Sequence, residues 1–287
     1  MTSTAGSKTP PRSAVRRAAV ITHGKPETIG EAIDRLEQVA EAHGVELLFS
    51  EEEAEKHGPE RDHADLSGAD LAVVLGGDGT MLRAFKRFLG TQVPVIGVNY
   101  GRVGFLASIE ADELEKGLAR VFAGDYTVVE LASLEAESRG EQWAAVNDVV
   151  ATSGLLGRMV ELALAIGGED IGTFPCDGVI CCTPSGSTAY NLSNGGPVLV
   201  WGLDAMAITF VAPHSLHARP LVVPRDRDLV VENRTPDVDV TLLADGHPVA
   251  KLSSGAGVTV RLGKKHSLLA TLPEKTFFRR YRETFAS

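Results

Sequence analysis

Cysteine is scarce: Cys176, Cys181 and Cys182 are the only three in 287 residues, too few for a disulfide framework and at no CxxC metal spacing. They read as buried strand thiols of a reducing compartment. No apolar run reaches the length of a membrane span. A secretory leader is not evident either. Behind Arg16 and Arg17 only residues 18–21 are apolar, whereas a signal peptide needs a core of about 7–15 residues. The pattern predicts a cytoplasmic protein. Basic charge is also short, with 28 Lys and Arg against 38 Asp and Glu and a net charge of −10. That balance argues against non-specific nucleic-acid binding and gives no reason to expect a membrane surface. Any phosphate site must therefore be built locally, from backbone amides and a few arginines.

The 44% hydrophobic and 23% charged residues are those of a globular protein long enough for two domains. Residues 1–14, rich in Ser, Thr, Pro and Gly, are expected to form a disordered tail. From there strands and helices alternate. Strands are predicted at 18–21, 45–49, 71–75 and 95–98. Ile29, Ala32, Ile33, Leu36, Val39 and Ala40 mark one helix face closed by Gly44, and "EEEAE" at 51–55 reads as a solvated helical turn. Further helices are expected at 81–88 and 113–122. This rhythm implies a parallel sheet. Beyond it, short strands recur at 127–130, 144–150, 160–166, 179–182, 208–211, 229–232, 238–243 and 258–262, the spacing of a sandwich. The expected fold class is α/β plus all-β, an N-terminal Rossmann-like parallel-sheet domain (15–122) followed by a β-sandwich domain (123–270). The segment 271–287, mixing aromatics with arginines, is expected to return to the first domain.

Three glycine-rich stretches stand out. Gly76-Gly77-Asp78-Gly79-Thr80 lies between a buried strand and a helix, where open α/β sheets bind ligands. Glycines let a phosphate approach the main chain, and amides at a helix start favour an anion. Thr80 is a natural cap. Asp78 is the odd member, since a carboxylate repels phosphate unless a metal or a proton in transit is involved. A tight turn with Asp78 as a mere cap is the plainer alternative. No Lys follows, so this is not a Walker loop. The second stretch, "GVNYGRVGFLA" at 97–107, places Asn99, Gly101 and Gly104 after the next strand; by itself an ordinary turn explains it equally well. The third, 176–199, sets Asp177 and Gly178 before a buried strand, then Thr183, Ser185, Ser187, Thr188, Tyr190 and Ser193 among glycines and prolines. Such a run offers donors and close backbone approach to a ribose or phosphate, and Tyr190 offers a ring to a base. A serine nucleophile is the rival, but the Gly-x-Ser-x-Gly elbow is missing.

In this order the three motifs resemble those of the NAD kinase family. They span residues 76–197, and the domain pattern extends the likeness over nearly the whole chain. The third motif is specific. The first is shared with diacylglycerol-, sphingosine- and phosphofructokinase-like enzymes. The resemblance implies transfer of the γ-phosphoryl of ATP, or of polyphosphate, to the adenosine ribose 2′-hydroxyl of NAD. Asp78 matches the catalytic aspartate, and Gly76, Gly77, Gly79 and Thr80 form the phosphate-donor loop. The NAD contacts implied are Asp78, Gly79, Arg83, Asn147, Asp148, Arg158, Asp177, Thr188, Ala189, Tyr190, Asn191, Leu192, Ser193 and His247. Asp148 stands where the family has Glu, one methylene longer, while Ser185 and Asn194 replace the commoner Thr and Ala. Mg²⁺ is expected with ATP and no protein ligands to it are assigned. A homodimer or homotetramer, with no nucleic-acid or membrane partner, completes the expectation.

Phosphoryl transfer asks mainly for positioning and charge neutralisation. Aspartate in general is a weak base at neutral pH, so Asp78 would orient the hydroxyl and take its proton late. The motifs leave two rivals. A lipid kinase shares the first motif but not the third. A non-catalytic NAD(P) sensor would bind without turnover. The choice between ATP and polyphosphate, acceptance of NADH, and regulation by NADP or NADPH are not written in the motifs.

Overall fold

A computed structural model describes residues 13–23, 29–57, 63–101, 104–155, 157–215 and 217–286. The expected tail falls mainly on residues 1–12, outside these. The chain forms two compact units, one of residues 1–129 with 268–287 and one of residues 130–267. The boundary expected at 122/123 thus moves to 129/130, inside a strand that starts in the first unit.

In the first unit the elements run β1 (Arg17–Thr22), α1 (Gly30–His43), β2 (Glu46–Phe49), α2 (Glu51–His57), β3 (Leu71–Gly76), α3 (Asp78–Arg87), β4 (Pro94–Asn99), β5 (Ile109–Glu110) and α4 (Leu114–Phe122). β3 pairs parallel with β1 on one side and β4 on the other. Its residues 71–75 are fully buried, as a central strand covered on both faces demands. The registers Thr22↔Leu75 and Gly76↔Asn99 end the three strands at one level. That common edge carries the first two glycine motifs.

α3 begins at Asp78, not near Met81, because Thr80 and Met81 both donate to the Gly77 carbonyl (2.9 and 3.1 Å). Gly77 is the cap, and Thr80, expected there, is buried inside the first turn. α2 is solvated on one face only: Glu51, Glu52 and Glu55 are exposed, but Glu53 is only 2% exposed.

The second unit follows with β6 (Thr127–Ser138), β7 (Glu141–Ala145), β8 (Asp148–Ser153), β9 (Val160–Ile166), β10 (Glu169–Cys176), β11 (Gly178–Cys182), the short α5 (Tyr190–Ser193), β12 (Ala205–Val211), β13 (Leu221–Pro224), β14 (Leu229–Asn233), β15 (Val240–Ala244), β16 (His247–Leu252) and β17 (Gly257–Thr271). One sheet runs β10-β9-β14-β17, with β6 on β17 and β7 on β6; the other runs β13-β12-β11-β8-β15-β16. Leu134, Leu162, Val179, Ile208, Val231 and Leu242 share the apolar core of this sandwich. The sequence pattern missed β10, β13 and β16. All three are edge strands. Each carries a proline (Pro175, Pro224, Pro248), which edges tolerate and central strands do not. The chain then returns to the first unit, where Leu268 and Leu269 of β17 pair parallel with Pro94 and Val95, and ends in α6 (Phe277–Phe285). Among the described residues no helix is long and apolar enough to cross a membrane.

Gly117 of α4 offers a test of packing against propensity. A Cβ there would lie 2.7–2.9 Å from three side-chain carbons of Ile109, which is 1% exposed. Alanine in a helix normally gains roughly 0.5–1 kcal/mol over glycine, whereas overpacking costs about 1–3 kcal/mol. Gly117→Ala is therefore expected to lower stability on chemical denaturation. A gain would show that the Ile109 side chain yields freely.

Candidate active site

In the first unit the two glycine turns meet. A Cβ on Gly77 would lie 3.1 Å from Gly101 Cα, and one on Gly101 would lie 2.8 Å from Gly77 Cα. Neither position has room for a side chain. Tyr100 N–H also donates to the Gly76 carbonyl (3.1 Å). His23, Gly77, Gly79, Thr80, Arg83, Tyr100 and Gly101 line a cavity of about 320 Å³ at the start of α3. A Cβ on Gly79 would meet nothing within 4 Å, so no neighbour among the described residues requires glycine there. A helix start opening on such a cavity is a ready anion site.

Asp78 does not cap its own helix. Its carboxylate reaches across to the second glycine stretch and accepts the N–H groups of Phe105 (3.1 Å) and Leu106 (2.9 Å), one on each oxygen. A carboxylate offers about four acceptor positions, so capacity remains for a hydroxyl.

Arg83, one turn along α3, is half-exposed and donates to the Thr22 carbonyl (2.5 Å). It lies 3.7 Å from Glu53, which also accepts Thr22 Oγ1 (2.5 Å) and Lys56 Nζ (3.1 Å). Glu53 thus ties the end of β1 to the arginine. The sequence pattern gave no sign of this, because an acidic run on a short helix ordinarily faces water.

In the second unit a different group assembles around the start of β8. Asp245, at positive φ in the β15–β16 turn, accepts the N–H groups of Val146 (3.0 Å), Asn147 (2.7 Å) and Asp148 (3.3 Å). Thr183 N–H donates to the Asn147 carbonyl (2.9 Å). The Thr183 and Ser185 hydroxyls donate to the Val146 carbonyl (2.7 and 3.3 Å). A Cβ on Gly186 would lie 2.1 Å from the Asn147 oxygen, which explains the glycine of this motif. Asn147 Oδ1 is buried and has no hydrogen-bond partner among the described residues. His247 Nδ1 lies 2.9 Å from the Asp245 carbonyl, with its side chain exposed. Thr188, Ala189 and Leu192 are half-buried, and Tyr190 and Ser193 exposed. Asn191 is fully buried, its amide taken by Ser187, Pro197 and Thr209, so its side chain shapes the loop from inside.

Arg158 and Asp177 are not brought to this group. The Asp177 carbonyl accepts Ser153 N–H (3.0 Å) and Thr152 Oγ1 (2.9 Å), at the far end of β8. At ~3.3 Å per residue, the length of β11 separates Asp177 from Asp148 by roughly 15 Å. Arg158 and Asp177 are both exposed.

Residues 21–126 match the ATP-NAD kinase N-terminal domain and residues 146–272 the ATP-NAD kinase C-terminal domain, which makes this the fold of a nucleotide phosphotransferase. The NAD kinase of Heliobacterium modesticaldum is 38% identical over 273 residues, 92% of this chain and 96% of that protein. The NAD kinase of Gemmatimonas aurantiaca is 37% identical over 219 residues, 74% and 76% of the two chains. Among solved structures, an NAD kinase from Archaeoglobus fulgidus in complex with ATP superposes with a TM-score of 0.74 at 25% identity, covering 93% of this chain and 98% of that one. Yeast NADH kinase complexed with NADH shares the fold, with a TM-score of 0.82 at 24% identity over 95% and 88% of the chains. The chain belongs to the NAD kinase family.

Asp148 is the perturbed acid of the site. It is 6% exposed, and burial, then the neighbouring Asp245 carboxylate, push its pKa up to about 7. In the unfolded chain it titrates near the ordinary aspartate value, so between pH 4 and 7 the folded state holds a proton that the unfolded state has lost. Stability from this residue is full below about pH 4 and is lost as pH rises through 7. Asp148→Asn, which never charges, is expected to match the parent near pH 4 and to exceed it above pH 7. The upper bound is on the order of a few kcal/mol. Denaturant midpoints at both pH values check this, and equal gains at the two would refute it.

Proposed function

We propose that the protein transfers the γ-phosphoryl group of ATP to the adenosine ribose 2′-hydroxyl of NAD, making NADP. The observation that carries this, beside family membership, is the carboxylate of Asp78 fixed by two amides at the mouth of an anion-binding helix start. A bond forms between the 2′-oxygen and the γ-phosphorus as the bond to the β–γ bridging oxygen breaks, and ADP leaves with the electron pair. Asp78 orients the hydroxyl and takes its proton. Amides from Gly77 to Gly79 face the transferring phosphoryl, and Arg83, held by Thr22 and Glu53, adds positive charge. Such a loose transition state gains most from positioning.

Among the described residues no three His, Cys, Asp or Glu side chains converge as a metal site. A divalent cation such as Mg²⁺ would arrive on the donor phosphates and supply charge neutralisation there. Asn147, Asp148 and the loop 188–193 are assigned to the dinucleotide. In this reading Asp148, one methylene shorter than the family's Glu, accepts from a ribose hydroxyl. A cytoplasmic location fits the three buried free thiols.

Formation of NADP, assayed with ATP and separately with polyphosphate as donor, tests the activity and identifies the donor. Asp78→Asn keeps the shape but removes the base. Positioned general bases contribute typically about 10²–10⁴-fold, so turnover should fall at least roughly a hundredfold while NAD affinity changes little. One of the two loop amides also loses its acceptor, so the unfolding midpoint should fall too. Turnover within a few-fold of the parent, measured below both midpoints, would show that Asp78 only braces the loop. A homo-oligomer, dimer or tetramer, is assigned by family. Sedimentation of a fully active protein as a 30.4 kDa monomer would refute it.

A further inference from the structure

α6 delivers a side chain that no motif connects to the glycine turns. Arg280 is only 4% exposed. Its Nε donates to the Lys275 carbonyl (3.3 Å), and its Nη1 to the carbonyls of Phe105 (2.8 Å) and Ala107. Its Nη2 donates to Ser108 Oγ (2.6 Å) and Thr271 Oγ1 (2.9 Å). A guanidinium has five N–H donors, so all are used. Burial lowers the Arg280 pKa to about 10, and of the charges that oppose this shift Asp78 is the largest.

The same few peptides serve both groups. The N–H groups of Phe105 and Leu106 point at Asp78, and the carbonyls of Phe105 and Ala107 point at Arg280. The stretch 105–108 is therefore clamped between a carboxylate and a buried cation. A lysine has three donors on a point charge and cannot reproduce five divergent bonds. A purely structural role for Arg280 would need only that α6 be docked. Phe277 and Phe285 already pack on Phe105, with ring centroids 5.9 Å apart in each pair.

We propose that Arg280 is a positioning residue for phosphoryl transfer, holding the 105–108 stretch so that its two amides fix the Asp78 carboxylate toward the acceptor hydroxyl. This rests on the reading of Asp78 given above. The test is a double-mutant cycle with Arg280→Lys and Asp78→Asn, reading kcat and the KM values for NAD and ATP below every unfolding midpoint. Arg280→Lys should lower kcat about tenfold or more and change either KM less than about threefold. In the Asp78→Asn background it should change kcat less than about threefold, because the group it positions has been removed. A structural residue would lose the same factor in both backgrounds, and that result, or an unchanged kcat in Arg280→Lys alone, overturns the proposal. If Asp78→Asn itself retains turnover, both readings fall. If it loses turnover while the two effects multiply, only Arg280 is misassigned. Thr271→Val, which removes one acceptor and no charge, serves if Arg280→Lys does not fold. It should lower kcat by a smaller factor with the same dependence on Asp78, and no loss, or loss independent of Asp78, overturns the proposal equally.

Discussion

One carboxylate bound to two consecutive backbone amides organises the edge of the parallel sheet. Asp78 sits at the first residue of α3, and its reach to Phe105 and Leu106 brings the end of β4 onto the end of β3. The mutual approach of Gly77 and Gly101 follows, since side chains at either would hold the turns apart. So does the cavity, because its walls come from these two turns, the end of β1 and Arg83 of α3. Arg83 and Arg280 then enter as secondary supports, each held by carbonyls of the strands and turns it braces.

The second unit uses the same device to a different end. Asp245 takes three consecutive amides and so forms the bend between β7 and β8. Its charge is committed to the main chain. Asp148, a short distance along that bend, cannot shed its own charge to water and is raised in pKa as a consequence. One acid shapes the turn, and the other is left poised at neutral pH.

The glycine motifs were legible in the sequence because their cause is short-range. Gly76, Gly77, Gly101 and Gly186 are glycines for want of room, and strands ending in such residues read as ligand-binding turns. The core strands were legible from their apolar runs. What stayed hidden depended on partners far along the chain. Arg280 meets residues 172 to 175 positions away, and nothing in "FFRRYRETF" tells which of its arginines turns inward. Glu53 was hidden by its own neighbours, two more glutamates on the same turn. Among the strands, β10, β13 and β16 escaped because edge positions relax both the apolar alternation and the ban on proline. Asp177 and Asp148, which the resemblance assigns to one ligand, lie at opposite ends of the β8–β11 pair.

The return of the chain to the first unit sets an order on folding. The second unit is a continuous stretch, and its strands pair within residues 130–267. The first is interrupted: β4 gains Leu268 and Leu269 as neighbours, and the loop beside Asp78 gains Arg280, only from residues at the other end of the sequence. Contacts this distant close late, because the entropy of the intervening loop must be met before they form. During synthesis neither unit is complete before β17 emerges: the sandwich needs its residues 257–267, and the sheet that carries Asp78 needs Leu268 and Leu269 of the same strand. The turn beside Asp78 is completed later still, when α6 brings Arg280 to the carbonyls of Phe105 and Ala107.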